Sequence, residues 1–109
     1  MANTFKNKTF GGGNVAANSD MSIYTCPAST TTVVIGLTIA NISSSQITTD
    51  IKLDASTNVH LVKNMPIPAG SAFEYMSGNK IILTAGHSIT IQSDTANSCD
   101  VTMSLMEIT

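Results

Sequence analysis

The chain has 109 residues, of which 42% are hydrophobic and only 11% are charged, whereas globular proteins average about 25% charged residues. This length fits one domain, and the apolar content is too high for a disordered chain. Five lysines, no arginine and seven acidic residues give a formal net charge of −2. Nucleic-acid binding requires clustered lysine and arginine side chains, so we expect no nucleic-acid partner.

The N-terminal segment differs from the rest of the chain. Residues 1–20 contain three consecutive glycines and scattered apolar residues without a regular period. A glycine-rich segment without a core of its own becomes ordered when another part of an assembly holds it. We therefore predict an extended arm over residues 1–20, followed by a domain over residues 21–109. We expect the arm to grip a neighbouring subunit through these residues: Phe5, Lys6, Lys8, Phe10, Gly11, Gly12 and Gly13.

Beyond residue 20, short β-rich runs alternate with turn clusters about every ten residues, the spacing typical of a sandwich or barrel. The predicted strands cover residues 22–26, 31–42, 46–53, 60–64, 72–76, 80–84, 88–93 and 101–108. No segment shows the apolar stripe of an amphipathic helix. The fold class predicted is all-β: a single antiparallel sandwich of about eight strands, jelly-roll or immunoglobulin-like, with the extended arm.

Two segments carry more detailed expectations. In residues 31–42, Val33, Ile35, Leu37 and Ile39 alternate with small residues, which predicts a central strand with those four side chains on one face. Residues 66–71 are predicted to form a rigid connection, because proline cannot donate to a central ladder.

Side chains that carry chemistry are sparse. Cys26 and Cys99 have no metal-ligand spacing, and without an N-terminal apolar run to indicate secretion we expect two reduced thiols. His60 and His87 have no partner at a metal-ligand spacing, and the dispersed acids suggest no catalytic pair. We predict a protein that is not an enzyme, with no cofactor, no metal, no small-molecule substrate and no membrane partner. The longest apolar stretch is too short to span a membrane as a helix.

Few strands carry the charges or prolines that usually protect sheet edges, since the body of the domain holds only three lysines. We therefore expect neighbouring subunits to cover some edges, so that the protein is a homo-oligomer in its working state.

Three segments resemble small virion structural proteins of tailed bacteriophages, particularly those of marine and cyanobacterial hosts. They are TVVIGLTIAN at residues 32–41, LVKNMPIPAGS at residues 61–71 and the ending LMEIT at residues 105–109; the opening MANTFK is also similar. The resemblance implies a non-enzymatic β-sandwich located in the virion, assembled in the host cytoplasm, with other virion proteins as partners.

Three functions follow, of which the first is favoured and the other two are alternatives to it. The first is a protein that oligomerises at the head–tail neck or tail, with its arm gripping a neighbour. The second is a capsid decoration or cement protein. The third is a host- or carbohydrate-binding module, which would require an exposed aromatic platform that two tyrosines and three phenylalanines can hardly supply.

Overall fold

The computed structural model describes residues 2–13, 15–75 and 80–109, and nine β-strands account for most of them. The strands are β1 (Asn3–Gly11), β2 (Asp20–Thr25), β3 (Thr31–Asn41), β4 (Ile47–Asp54), β5 (Val59–Ile67), β6 (Ala72–Glu74), β7 (Ile81–Thr84), β8 (Ser88–Ser93) and β9 (Cys99–Ile108). The all-β prediction is confirmed. The predicted strand over residues 72–76 corresponds to β6, and its last residue lies outside the described residues.

The strands form two antiparallel sheets packed face to face. Sheet A has the order β1-β9-β3-β6, with β7 also paired to β3, and sheet B has the order β2-β8-β4-β5. Because β6 and β7 pair with different parts of β3, they act as two pieces of one strand. The chain then passes between the sheets in the order of a jelly roll. An immunoglobulin-like sandwich would place the first two strands in the same sheet, so the jelly-roll alternative is the one observed.

The core lies between the two sheets and is filled by aliphatic side chains. The largest fully buried side chains come from the inward-facing positions of β3, β4, β8 and β9, with single contributions from β2, β5 and β7: Met21, Val34, Leu37, Ile39, Ile47, Ile51, Ile67, Leu83, Ile89, Ile91, Met103 and Leu105. The alternation of buried and exposed residues along β9 is complete up to Leu105. That alternation is why the strand pattern is readable from the sequence.

Strand β3 is central, as predicted, but its faces change partway along. A β-bulge between Val34 and Gly36 shifts its register against β9. The shift buries Val34 with Leu37 and Ile39, and it leaves Ile35 exposed. The predicted single face of Val33, Ile35, Leu37 and Ile39 is therefore wrong, because a bulge inserts one residue and reverses the alternation.

The predicted connection over residues 66–71 begins two residues later: Pro66 and Ile67 belong to β5, and the turn to β6 starts at Pro68. Pro66 lies in β5, opposite Thr48 of β4. Since β5 is the edge of sheet B, a residue without an N–H is tolerated there.

The N-terminal segment shows the largest difference from the predicted arm. Residues 3–11 form β1, which pairs with β9 of the same chain in continuous register from Asn3↔Ile108 to Gly11↔Asp100. Sheet A therefore contains this segment as one of its strands. A ninth strand was missed because nearly every β1 side chain is exposed on both faces, so no apolar alternation marks it. Its grip on a neighbouring subunit stays a prediction.

Candidate interaction site

The two sheets leave a groove along the flank where their edges, β1 and β2, face each other. The groove has a volume of about 560 Å³. Its wall combines the two strand edges with basic and hydroxylic side chains, and its lining residues are Lys6, Asn7, Lys8, Ser22, Ile23, Tyr24, Thr25, Pro27 and Glu107. The flank is thus both polar and bordered by strand edges that face solvent.

A buried hydrogen-bond network forms the floor of this groove. The Tyr24 hydroxyl is buried and donates to Glu107 Oε2 at 2.5 Å, while it lies 2.8 Å from Thr32 Oγ1. Because a tyrosine has one hydroxyl proton, Thr32 is the donor of the second bond. Lys6 Nζ completes the network, 2.8 Å from Glu107 Oε1. The network ties β1 and β9 of sheet A to β2 of sheet B.

Tyr24 and Glu107 have shifted pKa values. Burial raises the pKa of Tyr24 to about 12, and the bond to Glu107 contributes in the same direction. The bond from Lys6 holds the pKa of Glu107 below its usual value, with the Tyr24 bond as the next cause. At neutral pH the network therefore contains a neutral phenol and an ionised carboxylate. Neither group changes its protonation state near neutral pH, so the network has a structural role and does not transfer protons.

The predicted arm residues divide between the two faces of β1. Lys6 and Lys8 line the groove, and Phe10 packs against the core. Phe5 lies on the opposite face with 72% of its surface exposed. The structure thus brings the two lysines together and separates the two phenylalanines.

The three glycines at the end of β1 differ in how closely they are packed. Gly11 is the last residue of β1 and faces Asp100. Gly12 is buried, donates its N–H to Asp100 Oδ1 at 3.1 Å, and a Cβ added there would lie 1.9 Å from the Cys99 carbonyl oxygen. Gly13 has open space around its Cα. Gly12 is therefore required for close packing against β9, whereas Gly13 is not.

A row of apolar side chains crosses the outer face of sheet A. In the strand register, Phe5 is opposite Met106, Met106 opposite Val33, and Val33 opposite Ile82. Phe5 and Ile82 are exposed, and Ile35 lies beside the row. A shallow depression of about 310 Å³ runs between Phe5 and Ile35. Exposed apolar rows of this kind are typical of contact surfaces.

The two cysteines are buried and free of a disulfide in the described part of the chain. Cys26 Sγ lies 3.3 Å from Thr32 Oγ1, and burial raises the pKa of the Cys99 thiol. Buried thiols of this kind behave as small apolar side chains with low reactivity.

Within the described ranges, no three histidine, cysteine or acidic side chains cluster as metal ligands. The same ranges contain no helix that is long and apolar enough to cross a membrane. The groove and the neighbouring apolar row offer hydrogen bonds, charges and apolar contacts to a partner.

Sequence reasoning did not find Tyr24 or Glu107. They are 83 positions apart, and neither lies in a recognisable motif. The only local signal is a glutamate at an inward-facing position of a strand that otherwise alternates apolar residues inward.

Comparison with known proteins gives likeness in structure alone. No protein-family model matches the chain, and no curated protein matches it in sequence. The fold is similar to a chain of the acidic stable capsid structure of Helicobacter pylori bacteriophage KHP30, at 13% identity and a TM-score of 0.55, covering 100% of this chain and 94% of that chain. Structural similarity at 13% sequence identity shows that the two chains share a fold and shows nothing more.

Two crystal structures of a pentameric capsid protein isolated from metagenomic phage sequences are also similar, each at 17% identity and a TM-score of 0.39. They cover 96% of this chain, which spans only 60% and 59% of theirs. That likeness is too low to support an argument about function.

Proposed function

We propose that this protein is a non-enzymatic structural protein of a bacteriophage virion, and that it decorates or cements the capsid shell. The observation that carries the proposal is the correspondence of the entire jelly roll with a chain of a phage capsid structure. We place the protein on the shell rather than at the head–tail neck or tail because that structural neighbour belongs to a capsid.

The surface of the molecule fits a protein that works by contact. Phe5 and Ile82 are exposed at opposite ends of the apolar row on sheet A, and the open β1 edge lies beside Phe5. In this proposal the N-terminal segment still contacts a neighbouring subunit, but as a paired edge strand instead of a free arm. The partners are other virion proteins and further copies of this chain.

The carbohydrate-binding alternative finds little support in the aromatic side chains. All five aromatic residues lie in the described ranges, and Tyr24 is buried while Phe10, Phe73 and Tyr75 are half-buried. Phe5 alone is exposed, whereas a sugar platform needs aromatic faces open to solvent.

Quantitative mass spectrometry of purified particles of the encoding phage tests the proposal. We expect this chain in the particle at a copy number that scales with the number of shell subunits. A copy number that matches a single ring of subunits would indicate a location at the neck or tail. Its absence from purified particles would refute a virion role.

A pair of surface variants tests the contact surface. Phe5→Ser removes the most exposed aromatic side chain of sheet A, and Val59→Ser makes a similar change at an exposed position of β5. We expect Phe5→Ser protein to be depleted from particles and Val59→Ser protein to be incorporated normally. Equal incorporation of both would show that the Phe5 surface is not the one used.

A further inference from the structure

We propose that the open edge of β1 binds an extended acidic segment of a different protein, which adds a strand to sheet A and covers the groove between β1 and β2. The inference deepens the proposed function, on which that protein is another virion component. It names the surface and the chemistry of the partner.

The backbone of β1 supplies a continuous row of free hydrogen-bonding groups. Ala2 and Thr109 exchange both of their backbone hydrogen bonds. In an antiparallel ladder, hydrogen-bonded pairs alternate with pairs that are not hydrogen-bonded. Every second residue after Ala2 therefore bonds to β9, namely Thr4, Lys6, Lys8 and Phe10. The intervening residues direct their N–H and C=O groups to the open edge: Asn3, Phe5, Asn7, Thr9 and Gly11.

The neighbouring edge is a poorer template. Strand β2 has six residues, and a bulge between Ser22 and Tyr24 interrupts its register. Strand β1 has nine residues, and its register against β9 is uninterrupted. A strand added to this flank therefore pairs with β1, because regular edges accept a further strand more readily than bulged ones.

Charge selects the partner. Lys6 and Lys8 both line the groove, and Lys6 is already matched by Glu107. Lys8 has no ion-pair partner among the residues that the structure describes. A strand lying beside β1 places every second side chain next to these lysines, and carboxylates at those positions supply the missing charge.

The same charges disfavour a second copy of β1 as the occupant. Two β1 strands paired edge to edge would bring their lysines close to each other, and like charges on adjacent strands are destabilising. The acids of this chain are also dispersed over several strands and turns. An acidic segment therefore comes from another protein.

The outer side of the added strand would lie next to Phe5 and the depression that reaches Ile35. Apolar side chains suit that side. The partner segment is thus an extended run in which carboxylates alternate with apolar residues, the pattern of a strand with two different faces.

Binding of synthetic peptides to the isolated full-length protein tests this inference without any virus particle. The probes have the nine-residue length of β1; one alternates valine with glutamate and its matched control alternates valine with lysine. Titration followed by amide NMR shifts gives the affinities and the binding surface. We expect the glutamate peptide to bind about five- to tenfold more tightly, with the largest shifts in β1.

Two charge-reversal variants make the result specific. Lys8→Glu is expected to abolish or reverse the preference, whereas Lys80→Glu makes the same charge change next to β7, on the far side of sheet A, and is expected to leave it intact. Equal binding of both peptides, binding of neither, or an unchanged preference in Lys8→Glu would overturn the inference. None of these results would affect the copy number in particles, so the proposed function is tested separately.

Discussion

Strands β1 and β5 are both edge strands of nine residues, yet they are built in opposite ways. Strand β5 contains Pro66, and its pairing with β4 is broken by two register shifts. Asn64 of β5 adopts a positive φ of 56° and donates its N–H to Asp50. Strand β1 has a continuous register and none of these interruptions within its described residues.

The comparison indicates that the two edges have different tasks. Bulges and proline prevent a further strand from pairing, so β5 is protected as the outer boundary of the molecule. The lysines of β1 point into the groove and protect that edge against uncharged or basic strands while admitting an acidic one. An edge that admits only one kind of strand can join a partner in one orientation without forming open-ended aggregates.

Deleting residues 2–11 is expected to have the largest effect on stability. The deletion removes the β1–β9 ladder, the packing of Phe10 and the Lys6–Glu107 pair. We expect a loss of about 3 kcal/mol or more of unfolding free energy, measured by urea denaturation of the isolated protein. An unchanged unfolding midpoint would instead support an arm that is independent of a domain over residues 21–109.

Gly12→Ala is expected to be the most damaging single substitution at the end of β1. Its Cβ would lie 1.9 Å from the Cys99 carbonyl oxygen, so the end of β1 must move away from β9. We expect a loss of about 2–3 kcal/mol. Gly13→Ala is the control, because nothing lies within 4 Å of the added Cβ; equal losses in the two variants would contradict the close approach.

Glu107→Gln tests the network that fastens β1 across the groove. The variant loses the Lys6 ion pair and a charge-assisted bond from Tyr24, and we expect a loss of about 1.5 kcal/mol at neutral pH. Because the folded-state pKa of Glu107 lies below the ordinary value of 4.5, the unfolded chain takes up this proton first as the pH falls. The stabilisation is therefore complete above about pH 4.5 and is lost as the pH drops through the folded-state pKa.

Urea denaturation between pH 3 and pH 7, a range chosen to span carboxyl titration, measures this contribution. Glu107→Gln is expected to flatten the acid side of the stability profile. A wild-type slope in Glu107→Gln would show that the network does not hold the carboxylate.

The smallest expected effect concerns the protected edge. Asn64→Ala places a residue with an ordinary Cβ in the left-handed region and is expected to cost about 1 kcal/mol. Asn64→Gly keeps that conformation accessible and is expected to be nearly neutral. Thermal denaturation of the two variants compares them, and a lower midpoint for the glycine variant than for the alanine variant would contradict the strained bulge.

The fold class was predictable because most strands are buried on one face, so that apolar residues occupy every second position of their sequences. Strand β8 was predicted with its observed bounds, and β3 was correctly expected to be central. Strand β1 was not predictable as a strand, since exposure on both faces removes the pattern. The bulge in β3 was also invisible, because it depends on the register of β9 and not on the residues of β3 alone.

The candidate site was predictable only in part. Lys6 and Lys8 were singled out from the composition of the N-terminal segment, and both line the groove. Their surroundings were not predictable, because Tyr24 and Glu107 reach Lys6 through pairing between distant strands. Gly12 was singled out as part of the predicted arm, but its close approach to the Cys99 carbonyl, which makes it a packing requirement within the chain, was not predictable.

Residue-resolved amide hydrogen exchange of the isolated monomer tests the central claim most directly. If β1 is an intrinsic strand with one open edge, the amides of Thr4, Lys6, Lys8 and Phe10 exchange slowly, whereas those of Phe5, Asn7 and Thr9 exchange fast. Uniformly fast exchange along residues 3–11 would show a free arm that a neighbour must order. Uniformly slow exchange would show that the edge is already covered.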